Sequence, residues 1–100
     1  MLAGVAVVRA IRDVCELEPV LKWPNDVLLG GRKVAGILAE VAVSPGRPPR
    51  VVLGIGLNVT TTRAELPADL RATSLALAGA RVTDRATVPR AILRELGRDI

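Results

Sequence analysis

Apolar residues recur with helical spacing at the start of the chain and with strand spacing through its middle. Val7, Ile11 and Val14 fall on one side of a helix, and charged residues fill the opposite side. This pattern predicts a helix over residues 2–16. Shorter apolar runs between turn-forming residues then predict strands at 20–23, 27–29, 32–43 and 51–59.

The connections between these runs predict a largely antiparallel arrangement. Gly30-Gly31 suits the positive φ of a two-residue hairpin turn, and the proline-rich residues 44–49 predict a loop. We expect a short helical stretch at 74–77 and a final helix from an N-cap at Thr87, with one apolar stripe of Val88, Ile92, Leu93 and Leu96. The expected fold class is α/β (α+β), a mixed, largely antiparallel sheet backed by helices.

The strand at 51–59 has two very different faces. One face is continuously aliphatic and is expected to pack under helices; it consists of Val51, Leu53, Ile55, Leu57 and Val59. The other face contains Gly54, Gly56 and Asn58. Glycines at alternate strand positions favour the close approach of a ligand or of another backbone, and the pattern leaves both open. Gly36 is expected to face this gap if the two strands pair.

Composition narrows the function classes. The chain has 100 residues, so it forms at most one domain. Its net charge is +4. A basic charge is compatible with nucleic-acid binding, but the 12 arginines are scattered, which favours ordinary solvated surfaces. The chain contains no histidine, which excludes histidine-based catalysis within it, and its single Cys15 cannot form an internal disulfide. No apolar run is long enough to cross a membrane, and a cytoplasmic location is expected.

Polar groups interrupt the strands at three clusters, which are residues 22–26, 31–38 and 54–58. Lys33 beside a groove floored by glycines is a plausible anion site for a flat or small ligand. Asn25 and Asp26 in a turn could hold a Mg²⁺ ion bound to phosphate. Each cluster also has an ordinary explanation, since Lys33 could be a solvated hairpin lysine and Asn25-Asp26 simple turn formers. Trp23 is expected in the core.

The three clusters together resemble the signatures of the biotin–protein ligase family. They stand here as KWPND (22–26), RKVAGILAE (32–40) and GIGLNV (54–59), and ATSL (72–75) is similar to a further family segment. The resemblance implies the α/β catalytic fold that biotin and lipoate ligases share with class II tRNA synthetases. It also implies a two-step reaction, in which biotin and ATP form biotinyl-5′-AMP and the biotinyl group then passes to a lysine of a biotin carboxyl carrier domain.

The resemblance also implies roles for particular residues. Lys33 matches the family lysine at the biotin carboxylate and the phosphate, and is the expected catalytic residue. The expected biotin-binding residues are Lys33, Gly36, Leu38, Gly54 and Gly56. The expected ATP- and phosphate-binding residues are Lys22, Asn25, Asp26 and Asn58, with Asp26 also near the Mg²⁺ ion.

The resemblance covers only part of a ligase catalytic domain. The arginine- and glycine-rich loop of the family, its N-terminal DNA-binding domain and its SH3-like C-terminal domain have no counterpart in residues 1–100. The expectation is therefore a partial catalytic domain without repressor function. An alternative of another class is a truncated, non-catalytic fragment, and a basic nucleic-acid-binding module is a weaker one. The expected partners are biotin, ATP and the carrier domain of acyl-CoA carboxylases, with no membrane and no specific nucleic acid, and a homodimer is compatible with the family.

Overall fold

Four antiparallel strands lie side by side in the same order as in the sequence. The structure, a computed structural model, describes residues 2–67, 71–81 and 84–98. Its elements are α1 (Leu2–Cys15), β1 (Val20–Lys22), β2 (Asp26–Leu29), β3 (Arg32–Ala42), β4 (Arg50–Leu57), a 3-10 helix (Arg63–Glu65) and α2 (Thr87–Arg98). The sheet order is β1-β2-β3-β4. The expected α/β fold with a largely antiparallel sheet is confirmed.

A two-residue turn joins β2 to β3. Gly30 has a φ of 57° and Gly31 a φ of 77°, both in the left-handed region that side chains disfavour. Consecutive positive φ values match the twist of the two strands that they connect. The predicted hairpin is therefore confirmed, and this turn sets where β3 begins.

The helix α1 packs its apolar side on one face of the sheet and on α2. Val7 and Ile11 are fully buried, in one core with Val27 of β2 and Val88 of α2. A Cβ at Gly4 would lie only 2.6 Å from Leu21 Cδ1. Because position 4 has no side chain, the helix backbone approaches the sheet closely. Among the described residues, neither helix combines the length and the apolar character needed to cross a membrane.

The aliphatic face predicted for β4 is only partly covered. Ile55 and Leu57 pack against the core, whereas Val51 is 72% exposed. β4 is an edge strand, and the packed core extends only over its second half. The expectation of a continuous packed face is therefore wrong for the first half of the strand.

The start and the stripe of α2 also differ from the prediction. Asp84, rather than Thr87, caps the helix, because its Oδ1 accepts the N–H groups of Ala86 at 2.9 Å and of Thr87 at 2.8 Å. Leu93, predicted in the apolar stripe, is 68% exposed. It follows the buried Ile92 by one residue, and one residue turns the side chain by about 100° around the helix.

Two local predictions are wrong, and both concern residues that lie in turns. Trp23 is 77% exposed rather than in the core, because it lies in the turn after the edge strand β1. Residues 75–79 form hydrogen-bonded turns instead of a helix. In those turns the Ala78 N–H donates to the Ser74 carbonyl at 3.0 Å, and Leu75 is nevertheless fully buried.

Candidate functional site

Glycines from two strands meet on the sheet face opposite the helices. Gly36 of β3 is the direct partner of Gly56 of β4, and Leu38 is the partner of Gly54. Directly paired residues share a face of the sheet, so three glycines and Leu38 form one shallow strip. The expectation that Gly36 faces the Gly54/Gly56 gap is confirmed. We call these four residues the glycine strip.

A bulge in β3 brings Lys33 to this same face. Val27 pairs with Ala35 while its neighbour Leu28 pairs with Lys33, so Val34 is an extra residue in β3. In a regular strand Lys33 and Gly36, three positions apart, would point to opposite faces. The extra residue reverses the alternation. Lys33 therefore lies beside the glycine strip while Val34 is fully buried.

The Lys33 ammonium forms an ion pair with Asp26. Lys33 Nζ lies 3.2 Å from Asp26 Oδ1. Asp26 is the direct cross-strand partner of both Gly36 on one side and Lys22 on the other. The sheet thus places Lys22, Asp26, Gly36 and Gly56 in one row. A cation and an anion therefore stand at the edge of the glycine strip.

The segment at 71–75 braces the backbone of Lys33. The Lys33 N–H donates to the Arg71 carbonyl, and the Thr73 N–H donates to the Lys33 carbonyl, both at 2.8 Å. Asn58 belongs to the same brace, because its Nδ2 donates to the Thr73 carbonyl at 3.1 Å. Its own N–H donates to the Val34 carbonyl at 3.0 Å. These bonds fix the bulged part of β3.

Two cavities meet at Lys33, Gly36 and Gly56, which line both of them. The first, of about 490 Å³, is here called the loop-side cavity and is also lined by Asn58, Thr61, Glu65, Pro67 and Ala72. The second, of about 560 Å³, is the strand-side cavity and is also lined by Asn25, Asp26, Leu38 and Gly54. The lysine therefore stands at the junction of two adjoining spaces.

The structure brings most of the predicted site residues together. The residues predicted for biotin all line the strand-side cavity: Lys33, Gly36, Leu38, Gly54 and Gly56. The residues predicted for ATP are divided, since Asn25 and Asp26 line that cavity and Asn58 lines the loop-side one. Lys22 lines neither cavity and takes part only through its pairing with Asp26.

Comparison with known proteins assigns the family. The model of the biotin/lipoate A/B protein ligase family matches residues 1–58. The chain belongs to this family. The match extends from α1 through Asn58 and so includes all the residues of the glycine strip, together with Lys33.

Individual members of the family are similar over nearly the whole chain. The biotin–[acetyl-CoA-carboxylase] ligase of Mycobacterium tuberculosis is 46% identical over 99 residues, which is 96% of this chain and 35% of that protein. The bifunctional ligase/repressor BirA of Bacillus subtilis is 41% identical over 95 residues, or 93% of this chain and 29% of that protein. The chain thus spans about a third of the length of these ligases.

A solved ligase has the same fold. The biotin protein ligase of Aquifex aeolicus in complex with biotin and ATP matches with a TM-score of 0.76 and 32% identity, over 98% of this chain and 40% of that one. The similarity therefore includes both helices and the whole sheet.

Sequence reasoning missed the loop that forms one wall of the loop-side cavity. The Glu65 carboxylate accepts the Thr62 N–H at 3.0 Å and the Thr62 hydroxyl at 2.8 Å. These hydrogen bonds, the backbone one first, lower the pKa of Glu65. The spacing Thr62-x-x-Glu65 is a capping-box signature that could have identified this turn. The ligase motifs do not include it, so no role was expected there.

The described residues hold no cluster of metal-ligating side chains. They contain no group of three or more His, Cys, Asp or Glu side chains placed to hold a metal. Asp26, the predicted contact, already receives the Lys33 ammonium. A Mg²⁺ ion therefore stays a prediction, and it concerns an ion bound to nucleotide phosphates.

Proposed function

We propose that this chain forms the biotin- and ATP-binding part of a biotin–protein ligase catalytic domain, with Lys33 as its catalytic residue. The observation that supports the proposal is the position of Lys33 at the junction of two cavities, beside the glycine strip. A ligand made of two joined parts would fill both spaces and cross at the lysine. Biotinyl-5′-AMP is such a ligand, and its acyl-phosphate linkage would lie at the junction.

The first step of the proposed reaction joins two anions. A biotin carboxylate oxygen attacks the α-phosphorus of ATP, and the bond from that phosphorus to the bridging oxygen of the β-phosphate breaks. Pyrophosphate leaves and biotinyl-5′-AMP forms. Lys33 would reduce the repulsion between the carboxylate and the phosphate and would stabilise the negative charge on the oxygens around the α-phosphorus in the transition state. Binding both substrates at one junction also supplies their mutual orientation.

Each cavity is proposed to hold one part of the ligand. The strand-side cavity, with Leu38 and the open surface above Gly54 and Gly56, suits the fused rings and aliphatic chain of biotin. The loop-side cavity, with Asn58 and Thr61, offers polar groups for the nucleotide. Asn25 and Asp26 would lie near the phosphates because Asp26 contacts Lys33.

In the second step a lysine amine of the carrier domain attacks the biotinyl carbonyl carbon. AMP leaves, the nitrogen loses a proton, and an amide bond remains. The proposed acceptor is the biotin carboxyl carrier domain of an acyl-CoA carboxylase, in the cytoplasm, with Mg²⁺ carried on the nucleotide phosphates. A homodimer is part of the proposal, and specific nucleic-acid binding is not.

The test is biotinylation of a carrier domain by the purified chain with biotin, ATP and Mg²⁺, followed together with pyrophosphate release. We expect Lys33→Ala to lower the rate about 100-fold or more, the usual effect of removing one group that stabilises a transition-state charge. Arg47→Ala removes an exposed charge from the loop between β3 and β4 and is the matched control. Full activity of Lys33→Ala would overturn the role of Lys33.

A second readout separates the ligase from the non-catalytic fragment. The specific observation behind that alternative is that the chain spans only about a third of its relatives. Calorimetry with biotinyl-5′-AMP measures binding without turnover. Tight binding of the adenylate would count against the non-catalytic alternative. Weak or absent binding without pyrophosphate release would support that alternative and contradict the proposal.

A further inference from the structure

The space that a side chain at Gly36 would fill is occupied by Lys33. A Cβ built at Gly36 would lie 3.0 Å from Lys33 Cε and 3.0 Å from Lys33 Nζ, with Asp26 Oδ1 at 3.9 Å. The φ of Gly36 is not in the left-handed region. The backbone conformation at position 36 therefore does not require glycine. Any requirement for glycine comes from the space above the backbone.

The other two glycines of the strip differ in this respect. A Cβ at Gly54 would meet nothing nearer than the Leu38 carbonyl oxygen at 3.7 Å, and one at Gly56 nothing nearer than the Gly36 carbonyl oxygen at 4.0 Å. Both distances are ordinary van der Waals contacts. The protein thus leaves space for a small side chain at positions 54 and 56, whereas at position 36 the end of the Lys33 side chain occupies that space.

The ion pair with Asp26 is not enough to hold Lys33 in place. The side chains of Lys33 and Asp26 keep 50% and 34% of their exposure. Exposed ion pairs contribute little to fixing two side chains, because water screens them and a lysine loses rotamer freedom on pairing. A second constraint on Lys33 is the space above Gly36, which the end of the lysine side chain occupies.

We propose that Gly36 is a positioning residue for Lys33. Without a Cβ at 36, the lysine lies flat across β3, and its ammonium reaches Asp26 at the junction of the two cavities. Gly54 and Gly56 instead leave open the surface on which the ligand lies. The position of Lys33 is a property of the unliganded protein, whereas its consequence for adenylate formation rests on the proposed function.

Alanine at position 36 tests this without destroying the fold. The atoms that a Cβ would meet belong to the far end of a flexible side chain, so Lys33 can move away while β3 keeps its place. Gly56→Ala is the matched control, since it adds the same methyl group to the cross-strand partner at a distance from which Lys33 need not move.

The direct measurement is NMR of the full chain labelled with ¹³C and ¹⁵N at lysine, which gives signals only from Lys22 and Lys33. We expect a nuclear Overhauser contact from the Lys33 Hε protons to the Gly36 Hα protons, and distinct shifts for the two Hε protons. Gly36→Ala should merge those two shifts and leave Lys22 unchanged, and Gly56→Ala should leave Lys33 unchanged. Unaltered Lys33 signals in Gly36→Ala, or equal changes in Gly56→Ala, would overturn the proposal.

A binding experiment then links this position to the ligand. We expect Gly36→Ala to weaken binding of biotinyl-5′-AMP about tenfold, the scale of one displaced charge-assisted contact. In a Lys33→Ala background the same substitution should have no further effect, while Gly56→Ala should still weaken binding. An equal loss in both backgrounds would show that Gly36 acts on the ligand directly, against the proposal. If no variant binds the adenylate, the proposed function fails, and the lysine spectra still decide the role of Gly36.

Discussion

Gly36 and Gly56 are direct cross-strand partners on the open face of the sheet. A Cβ at Gly56 would have no heavy atom of the protein within 4.0 Å except the Gly36 carbonyl oxygen at that distance. We therefore expect Gly56→Val to change the free energy of unfolding by less than about 1 kcal/mol, since valine favours strands. The same side chain would stand where the ligand lies, and binding of biotinyl-5′-AMP should weaken about tenfold or more. Gly97→Ala in α2, where a Cβ also meets nothing, is the control. Unchanged binding of biotinyl-5′-AMP by Gly56→Val would contradict the proposal that the ligand lies over Gly56.

Asp26 is expected to matter for the reaction more than for stability. Asp26→Asn removes the charge that faces Lys33 at 3.2 Å. Because the pair is partly exposed, the substitution should lower the free energy of unfolding by less than about 1 kcal/mol. Formation of biotinyl-5′-AMP should fall by up to about tenfold, because the ammonium then loses one of its two constraints and keeps only the space above Gly36.

The matched control for Asp26 is Glu18→Gln. It removes the carboxylate of an ion pair with Arg12, at 3.6 Å, away from both cavities. Urea unfolding and pyrophosphate release are measured for both variants. An equal loss of activity in Glu18→Gln would show that the effect of Asp26 is not specific to the site.

Asn58 has a structural role in addition to its predicted contact with the nucleotide. Its Nδ2 donates to the Thr73 carbonyl at 3.1 Å. In Asn58→Asp a carboxylate oxygen would face that carbonyl oxygen, so we expect the free energy of unfolding to drop by about 1–3 kcal/mol. Thr60→Ala changes an exposed neighbour and should have little effect. Chemical denaturation distinguishes the two, and a fully stable Asn58→Asp would show that the brace of Lys33 does not depend on this bond.

The cap of α2 predicts a pH dependence of stability in the acid range. The Thr87 hydroxyl, followed by the Ala86 and Thr87 N–H groups, donates hydrogen bonds that lower the pKa of Asp84. A carboxyl group with a lowered folded-state pKa stabilises the fold above its ordinary pKa, and this contribution disappears as the pH falls through the lowered value. Asp84→Asn should therefore be less stable than the native chain at pH 7, with a difference that shrinks as the pH falls through the lowered pKa of Asp84. A difference that stays constant throughout an acid titration would contradict the cap.

The local pattern of the sequence predicts the sheet better than it predicts the packing around it. The hairpin follows from Gly30-Gly31, and the meeting of Gly36 with Gly56 follows from pairing the two glycine-containing strands. The exposure of Leu93 and of Val51 could not be predicted in this way. It depends on where the core ends, which is set by contacts between distant parts of the chain.

The orientation of Lys33 illustrates the limit for the site. Regular alternation would place Lys33 and Gly36 on opposite faces, although both the polar clusters and the family motif suggested that the two residues belong to one site. The bulge at Val34 resolves the conflict. The bulge coincides with a contact between distant parts of the chain, because the backbone N–H and carbonyl of Lys33 both form hydrogen bonds with the 71–73 segment.

The position at which the adenylate binds decides whether the glycine strip and Lys33 form the proposed site. A ¹H–¹⁵N spectrum of the chain labelled at its nine glycines is recorded during titration with a non-hydrolysable sulfamoyl analogue of biotinyl-5′-AMP. We expect the largest shifts at Gly36, Gly54 and Gly56, and smaller ones at Gly46 and Gly97, which line neither cavity. Largest shifts at Gly46 or Gly97, or no shifts at a saturating concentration, would contradict binding at the glycine strip.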